Sequence, residues 1–172
     1  VSLGGARFPY RSDIILKTIK SLIDNGINCR IDFINQYDHQ IIKKHAENIK
    51  FPKEKIKIYS LDNELIPNAL GKFDYGCVFY EKSKWRTVCS PTKLGEFLSA
   101  GLPIIALDGI KIIDKLEKNY DFIFTIKSDV EINLQIKEII KFISLSHDNN
   151  QCQKLALKKF DIQIANKKYE RI

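Results

Sequence analysis

An α/β fold built on a doubly wound parallel sheet, Rossmann-like in its layering, is what the sequence predicts, and three observations carry that expectation. Short apolar runs of strand length alternate, almost without exception, with longer stretches whose apolar residues recur at helical spacing. Pro103 to Leu107 is a continuous apolar run after a Gly stop, the mark of a strand buried on both faces. The 172 residues, 44% of them apolar, suffice for one domain with a genuine core and not for a second full domain. Such alternation implies parallel strands joined by right-handed crossovers, with helices over both faces.

The elements come in order along the chain. Val1 to Gly4 reads as a first strand and Gly5 to Arg11 as the loop after it. Ser12 or Asp13 opens a helix whose Ile15, Ile19, Leu22 and Ile23 form an apolar stripe, ending at Asn25-Gly26. Cys29 to Ile34 predicts a second strand and His39 to Asn48 a second helix. Lys55 to Tyr59 alternates as a third strand, followed by a third helix over Leu61 to Leu70. Asp74 to Tyr80 is the fourth strand. After a loop from Tyr80 to Cys89, Ser90 stands where a capping hydroxyl is needed and Pro91 at the first helical position, where no N–H partner is required. That helix runs to Ala100 with Leu94, Phe97 and Leu98 on its apolar face, and Gly101 stops it. The strand Pro103 to Leu107, a helix Ile110 to Lys118, a strand Phe122 to Ile126 and helices over Val130 to Ser144 and about His147 to Ile172 complete the chain.

Composition narrows the function. Lys and Arg number 28 against 21 Asp and Glu, a formal charge of +7, which favours anionic partners without choosing among nucleotides, nucleic acid and acidic membrane surfaces. The chain starts at Val1 and has no Met, so it reads as a piece of a longer protein. No apolar stretch reaches membrane-spanning length, and the N-terminus lacks a signal-peptide pattern. Cys29, Cys77, Cys89 and Cys152 are widely spaced and read as free thiols, Cys29 and Cys77 as small core residues of strands. His39, His45 and His147 have no partner at metal-ligand spacing. Gly4-Gly5-Ala6 is not a dinucleotide fingerprint, Gly71-Lys72 lacks the rest of a P-loop, and no G-x-S-x-G elbow is present.

In a doubly wound sheet, ligands bind beyond the carboxyl ends of the strands, near the reversal of strand order. That selects the loops Gly5 to Arg11, Asn35 to Asp38, Ser60 to Asn63, Tyr80 to Ser90 and Leu107 to Gly109. Arg7 and Arg11 then lie beside the helix start at Ser90-Pro91, a cradle suited to a diphosphate. The residues alone leave two readings open. Arg7 and Arg11 also suit a solvated surface, and Lys93 with Glu96, one turn apart and away from Leu94 and Leu98, also suits an exposed ion pair.

The segment SPTKLGEFLSAGLPIIA resembles the donor-site segment of family 4 glycosyltransferases of the GT-B fold, in which a Glu-bearing helix leads to A-x-G-x-P and a buried strand. GGARFPYRSDIILKTIKSLIDNGINCRIDFIN resembles the start of the family's C-terminal domain, and ALKKFDIQIANKKYERI its closing helices. The resemblance implies that residues 1–172 are the nucleotide-sugar-binding C-terminal half of a GT-B enzyme, whose N-terminal acceptor domain is outside this chain. It implies that Gly5 and the first loop, with Arg7 and Arg11, hold the donor diphosphate, the two Arg stabilising the departing charge. Ser90, Pro91 and Thr92 would supply backbone N–H groups to the diphosphate, Lys93 would lie beside them, and Glu96 would bind the ribose hydroxyls. The family's second Glu, eight positions earlier, is Val88 here, and Glu81 does not match its spacing.

The resemblance further implies a hexosyltransferase-type activity with retained anomeric configuration, in glycan or polysaccharide biosynthesis. No cofactor or metal is expected, and the sequence has no D-x-D pair. The partners are a nucleotide-sugar donor and, through the other domain, a glycan or lipid-linked sugar, and not nucleic acid. The setting is cytoplasmic, with peripheral association at the inner face of a membrane. The fragment alone is expected to transfer no sugar. Two other readings stay open, a nucleotide-sugar epimerase of the same fold and a non-catalytic nucleotide-binding module.

Overall fold

The computed structural model describes residues 1–83 and 91–161. Six parallel strands form one sheet in the order β3-β2-β1-β4-β5-β6: β1 Ser2–Leu3, β2 Ile31–Ile34, β3 Ile56–Tyr59, β4 Gly76–Val78, β5 Ile104–Leu107 and β6 Ile123–Ile126. The helices are α1 Ser12–Asp24, α2 His39–Asn48, α3 Ile66–Leu70, α4 Thr92–Ser99, α5 Lys111–Glu117, α6 Ile132–Ile143 and α7 Asn149–Phe160. The predicted alternation, parallel sheet and double winding are all present.

Strand residues divide between two cores because successive side chains leave opposite faces of a strand. Ile104 and Ala106 of β5, with Leu3 and Val78, pack under α3, α4, α5 and α7. Ile105 and Leu107, with Phe33 and Cys77, pack under α1, α2 and α6. All four residues of β5 are buried, as its unbroken apolar run requires. In α4, Leu94, Phe97 and Leu98 are fully buried, and each such side chain contributes about 1.5–3 kcal/mol through removal from water. Gly76 of β4 makes that packing close, since a Cβ there would collide with the Phe97 ring.

Several boundaries differ from the sequence-based expectation. Cys29 lies before β2 in a turn, its N–H donating to the Ile27 carbonyl at 3.0 Å, and β2 begins only at Ile31, where pairing with Ile56 of β3 begins. The third helix is short: Asn63–Leu65 form a 3₁₀ turn and α3 starts at Ile66, because Pro67 lacks an N–H and fits only a first turn. Pro91 is the N-cap of α4, not its first helical residue; its backbone is extended (ψ 121°) and its carbonyl accepts from the Leu94 N–H at 3.1 Å. The predicted cap at Ser90, together with Val88 and Cys89, lies outside the described residues, as does the end of the last predicted helix beyond Asp161. Cys77 and Cys152 are buried thiols, and burial pushes the Cys152 thiol up to about 12. Among the described residues no helix is long and apolar enough to cross a membrane.

Candidate functional site

Strand order reverses between β1 and β4, so α1 leaves toward one face of the sheet and α4 toward the other. A crevice opens where they part, at the carboxyl ends of the strands. The loop after β1 is drawn across the end of β4. The Arg11 N–H donates to the Phe79 carbonyl at 3.1 Å, the Glu81 N–H donates to the Pro9 carbonyl at 2.7 Å, and Tyr10 bridges to Tyr80 with ring centroids 5.1 Å apart. This turn demands glycine. Gly4 has φ +100°, and a Cβ on Gly5 would stand 2.9 Å from the Tyr10 ring and 3.2 Å from the Asp38 carboxylate.

The two arginines of this loop have different surroundings. Arg7 is 77% exposed and meets Asp38 through Nε at 3.0 Å. Asp38 also accepts from the Ala6 N–H at 2.9 Å and the Arg7 N–H at 3.4 Å, and these bonds, the Ala6 N–H first, hold its carboxyl below the usual carboxylate range. Arg11 is held on two sides. Its Nε and Nη2 grip the Asp13 carboxylate at 2.9 and 2.8 Å, and its Nη1 donates to Glu81. The bond to Asp13 keeps the Arg11 guanidinium well above its ordinary pKa. Burial opposes the charge on Asp13, but the hydrogen bond and charge of Arg11 outweigh it and hold that carboxyl low.

Across the crevice, α4 presents Thr92, Lys93 and Glu96. Thr92 is its exposed first residue. Lys93 Nζ donates to both Glu96 oxygens, at 3.0 and 3.1 Å, with the side chains 25% and 37% exposed. The predicted pairing on the polar side of α4 is therefore present. Lys93 lines a pocket of about 240 Å³ with Gly4, Gly5, Asn35, Asp38 and Leu61. A second groove, about 500 Å³, lies between α1 and the start of α6, lined by Arg11, Lys17, Lys20, Lys127 and Asn133 among others. Gly5 and Lys93 thus share the smaller pocket, with Arg7 behind it through Asp38 and Glu96 through Lys93, whereas Arg11 lines the larger groove.

The larger groove is lateral to the crevice and much of its charge is already paired: Lys20 meets Asp24 at 2.9 Å, and Arg11 faces two carboxylates. The smaller pocket lies at the reversal of strand order and joins three of the loops selected from sequence. Among the described residues no group of three or more His, Cys, Asp or Glu could hold a metal ion. Asn35 and Asp38 carry no role in the sequence-based expectation, although their loop is among those it selects. Asn35 is 4% exposed; its side-chain oxygen accepts from the Tyr37 and Asp38 N–H groups at 2.9 and 2.6 Å, and its amide donates to the Gly4 carbonyl. The signal for it was an Asn three residues before an Asp at the end of a buried strand.

Solved structures share this fold. The chain resembles AviGT4, a glycosyltransferase involved in Avilamycin A biosynthesis, with a TM-score of 0.68 and 8% identity over 98% of this chain and 48% of that one. It resembles the pneumococcal O-GlcNAc transferase GtfA, solved in complex with UDP and GlcNAc, with a TM-score of 0.65 and 12% identity over 99% of this chain and 34% of that one. A GtfA/B complex gives 0.63 and 13% over 92% and 32%. The chain thus spans less than half the length of each, and the likeness is one of fold, a Rossmann-like sheet shared with glycosyltransferases. No family model matches the sequence, and no curated protein matches it.

Proposed function

We propose that this chain is the nucleotide-sugar-binding, C-terminal half of a GT-B glycosyltransferase of family 4 type. It would move a hexose from a nucleoside diphosphate donor to an acceptor with retention, in glycan or polysaccharide biosynthesis. The observation that carries the reading is one juxtaposition. Around a pocket of about 240 Å³ at the strand-order reversal, the Gly4–Gly5 turn of the Arg7 loop faces Lys93, which pairs with Glu96.

Each residue has a chemical part. The first loop, with Gly5 and Arg7, and the start of α4, with Ser90, Thr92 and Lys93, receive the diphosphate. Glu96 accepts hydrogen bonds from the ribose hydroxyls, and Lys93 orients that carboxylate from 3.0 Å. In the transfer, the bond from the anomeric carbon to the leaving phosphate oxygen breaks as a bond to the acceptor oxygen forms, and the acceptor's proton passes to the departing diphosphate. The growing charge on that leaving group is met by Arg7 and by the two N–H groups of Arg11 that its three carboxylate bonds leave over. Fixed cations in those places take the part a metal plays elsewhere, so no metal enters the proposal. The acceptor, a glycan or lipid-linked sugar, meets a second domain; the chain by itself binds donor and transfers nothing. Its setting is the cytoplasm, at the inner face of the membrane when the acceptor is lipid-linked.

Calorimetry with UDP and GDP tests the reading. One of them binds the parent, and Glu96→Ala weakens that binding by about 1.5–3 kcal/mol, the range for hydrogen bonds to a charged group. A folded Glu96→Ala variant that binds as the parent does would remove the ribose assignment. Product analysis with a full-length enzyme separates a glycoside from an epimerised donor.

A further inference from the structure

Arg7 lies on a loop and is 77% exposed, yet one carboxylate fixes both its backbone and its side chain. Asp38 Oδ2 accepts from the Ala6 and Arg7 N–H groups and its Oδ1 meets Arg7 Nε. Asp38 is the N-cap residue of α2, where an Asp ordinarily accepts from its own helix, but it makes no side-chain cap bond there. The carboxylate is turned across to the neighbouring loop instead. Asn35 braces it from behind, through the Asp38 N–H and the Gly4 carbonyl, so the ends of β1 and β2 are tied on both sides of the turn.

Two features distinguish a support from an occupant of the anion site. The Asp38 side chain is 11% exposed, covered by the loop it binds, while Arg7 stands outside it at 77%. The ion pair between Asp38 and Arg7 closes at the Nε side of the guanidinium, 3.0 Å, and Nη1 and Nη2 make no hydrogen bond to a described residue. We propose that Asp38 is a positioning residue: it grips Arg7 by Nε and holds the loop by two N–H groups, so that the free fork of the guanidinium is presented to the donor diphosphate. The proposal rests on the donor-site reading above. It differs from competition, in which the carboxylate would leave for the ligand to enter, and the two give effects of opposite sign.

The test is calorimetry with inorganic pyrophosphate, UDP and GDP as probes, on the parent and on Asp38→Ala, Asp38→Asn and Asp38→Glu. Loss of a pre-organised fork weakens pyrophosphate binding about three- to tenfold in Asp38→Ala. The same change made in an Arg7→Ala background has no further effect, and Asp38→Glu restores part of the loss. Asp38→Asn keeps the size of the side chain and one acceptor, so it serves if the Ala variant does not fold, and it shows a loss in the same direction. Tighter or equal binding in folded Asp38→Ala or Asp38→Asn, with a parent that binds, overturns this proposal alone. A parent that binds none of the three probes overturns the donor reading and this proposal with it.

Discussion

Arg7 and Arg11 leave one short loop, and the fold places them in opposite circumstances. Arg11 is 31% exposed and faces two carboxylates, one of them in a two-point grip; Arg7 is 77% exposed and faces one. Around Arg11 a single cation thus stands against two anions, while around Arg7 the charges balance and most of the guanidinium is uncommitted. On the proposed donor-site reading, a diphosphate gains more from Arg7, because much of the field at Arg11 is already spent on Asp13 and Glu81. Arg11 in turn fastens the loop to the start of α1 and to the segment after β4. One residue type therefore serves two ends, and the count of carboxylates around each decides which.

Replacing each arginine is the sharpest way to break this contrast. Arg7→Ala weakens UDP or GDP binding about ten- to a hundredfold, or 1.5–3 kcal/mol, and leaves the weak binding of bare uridine or guanosine unchanged in the same calorimetric series. Thermal unfolding of that variant shifts little, since an exposed ion pair contributes about 0–1 kcal/mol. Arg11→Ala does the reverse in emphasis. It leaves Asp13 and Glu81 facing each other without their cation and lowers the urea-derived stability by about 1–2 kcal/mol, a value reduced for the roughly one-third exposure of both groups. Its loss of diphosphate affinity is smaller than that of Arg7→Ala; the opposite order would dissolve the contrast.

Acid titration reads the Arg11 side separately. The Asp13 carboxyl is held below its unfolded value of about 3.9, so its contribution is complete above that pH and is lost as pH falls through the lower folded value. Urea midpoints measured from pH 7 to pH 3 decline on the acid side, and Asp13→Asn declines less steeply over the same window. The smallest effect belongs to α4. Lys93→Ala removes a helical pair three residues apart and changes stability by about 0.2–0.5 kcal/mol, detectable as a small shift in the unfolding midpoint.

Much of the fold was legible because its signals were local. His39–Asn48 was read with its observed ends, and β5 and the buried face of α4 came from runs of apolar residues that admit one packing. Pro67 was a local signal passed over: it stands in the first turn of α3 and explains why the α-helix does not extend back through Leu61–Leu65. The start of β2 was not legible, since a strand begins where its neighbour begins, and Ile31 is defined by Ile56. The site divides in the same way. Lys93 and Glu96 share a helix and were read as a pair, whereas Asp38 and Ala6 are 32 residues apart and meet only because β1 and β2 lie side by side in register, Leu3 beside Ile34. In the sequence Asp38 resembles an ordinary helix cap. Likewise, nothing near Arg11 in the chain announces Glu81, which arrives from the end of β4.

Whether donor binds at the reversal of strand order or in the larger lateral groove is decided by mapping backbone amide shifts as UDP or GDP is added. Binding at the reversal puts the largest changes on Gly4 to Arg7, on Leu61 to Asn63 and on Lys93 to Glu96, with saturation at a common affinity, and this is the expected result. Changes centred instead on Lys17, Lys20 and Asn133, which line the groove between α1 and α6, would contradict it.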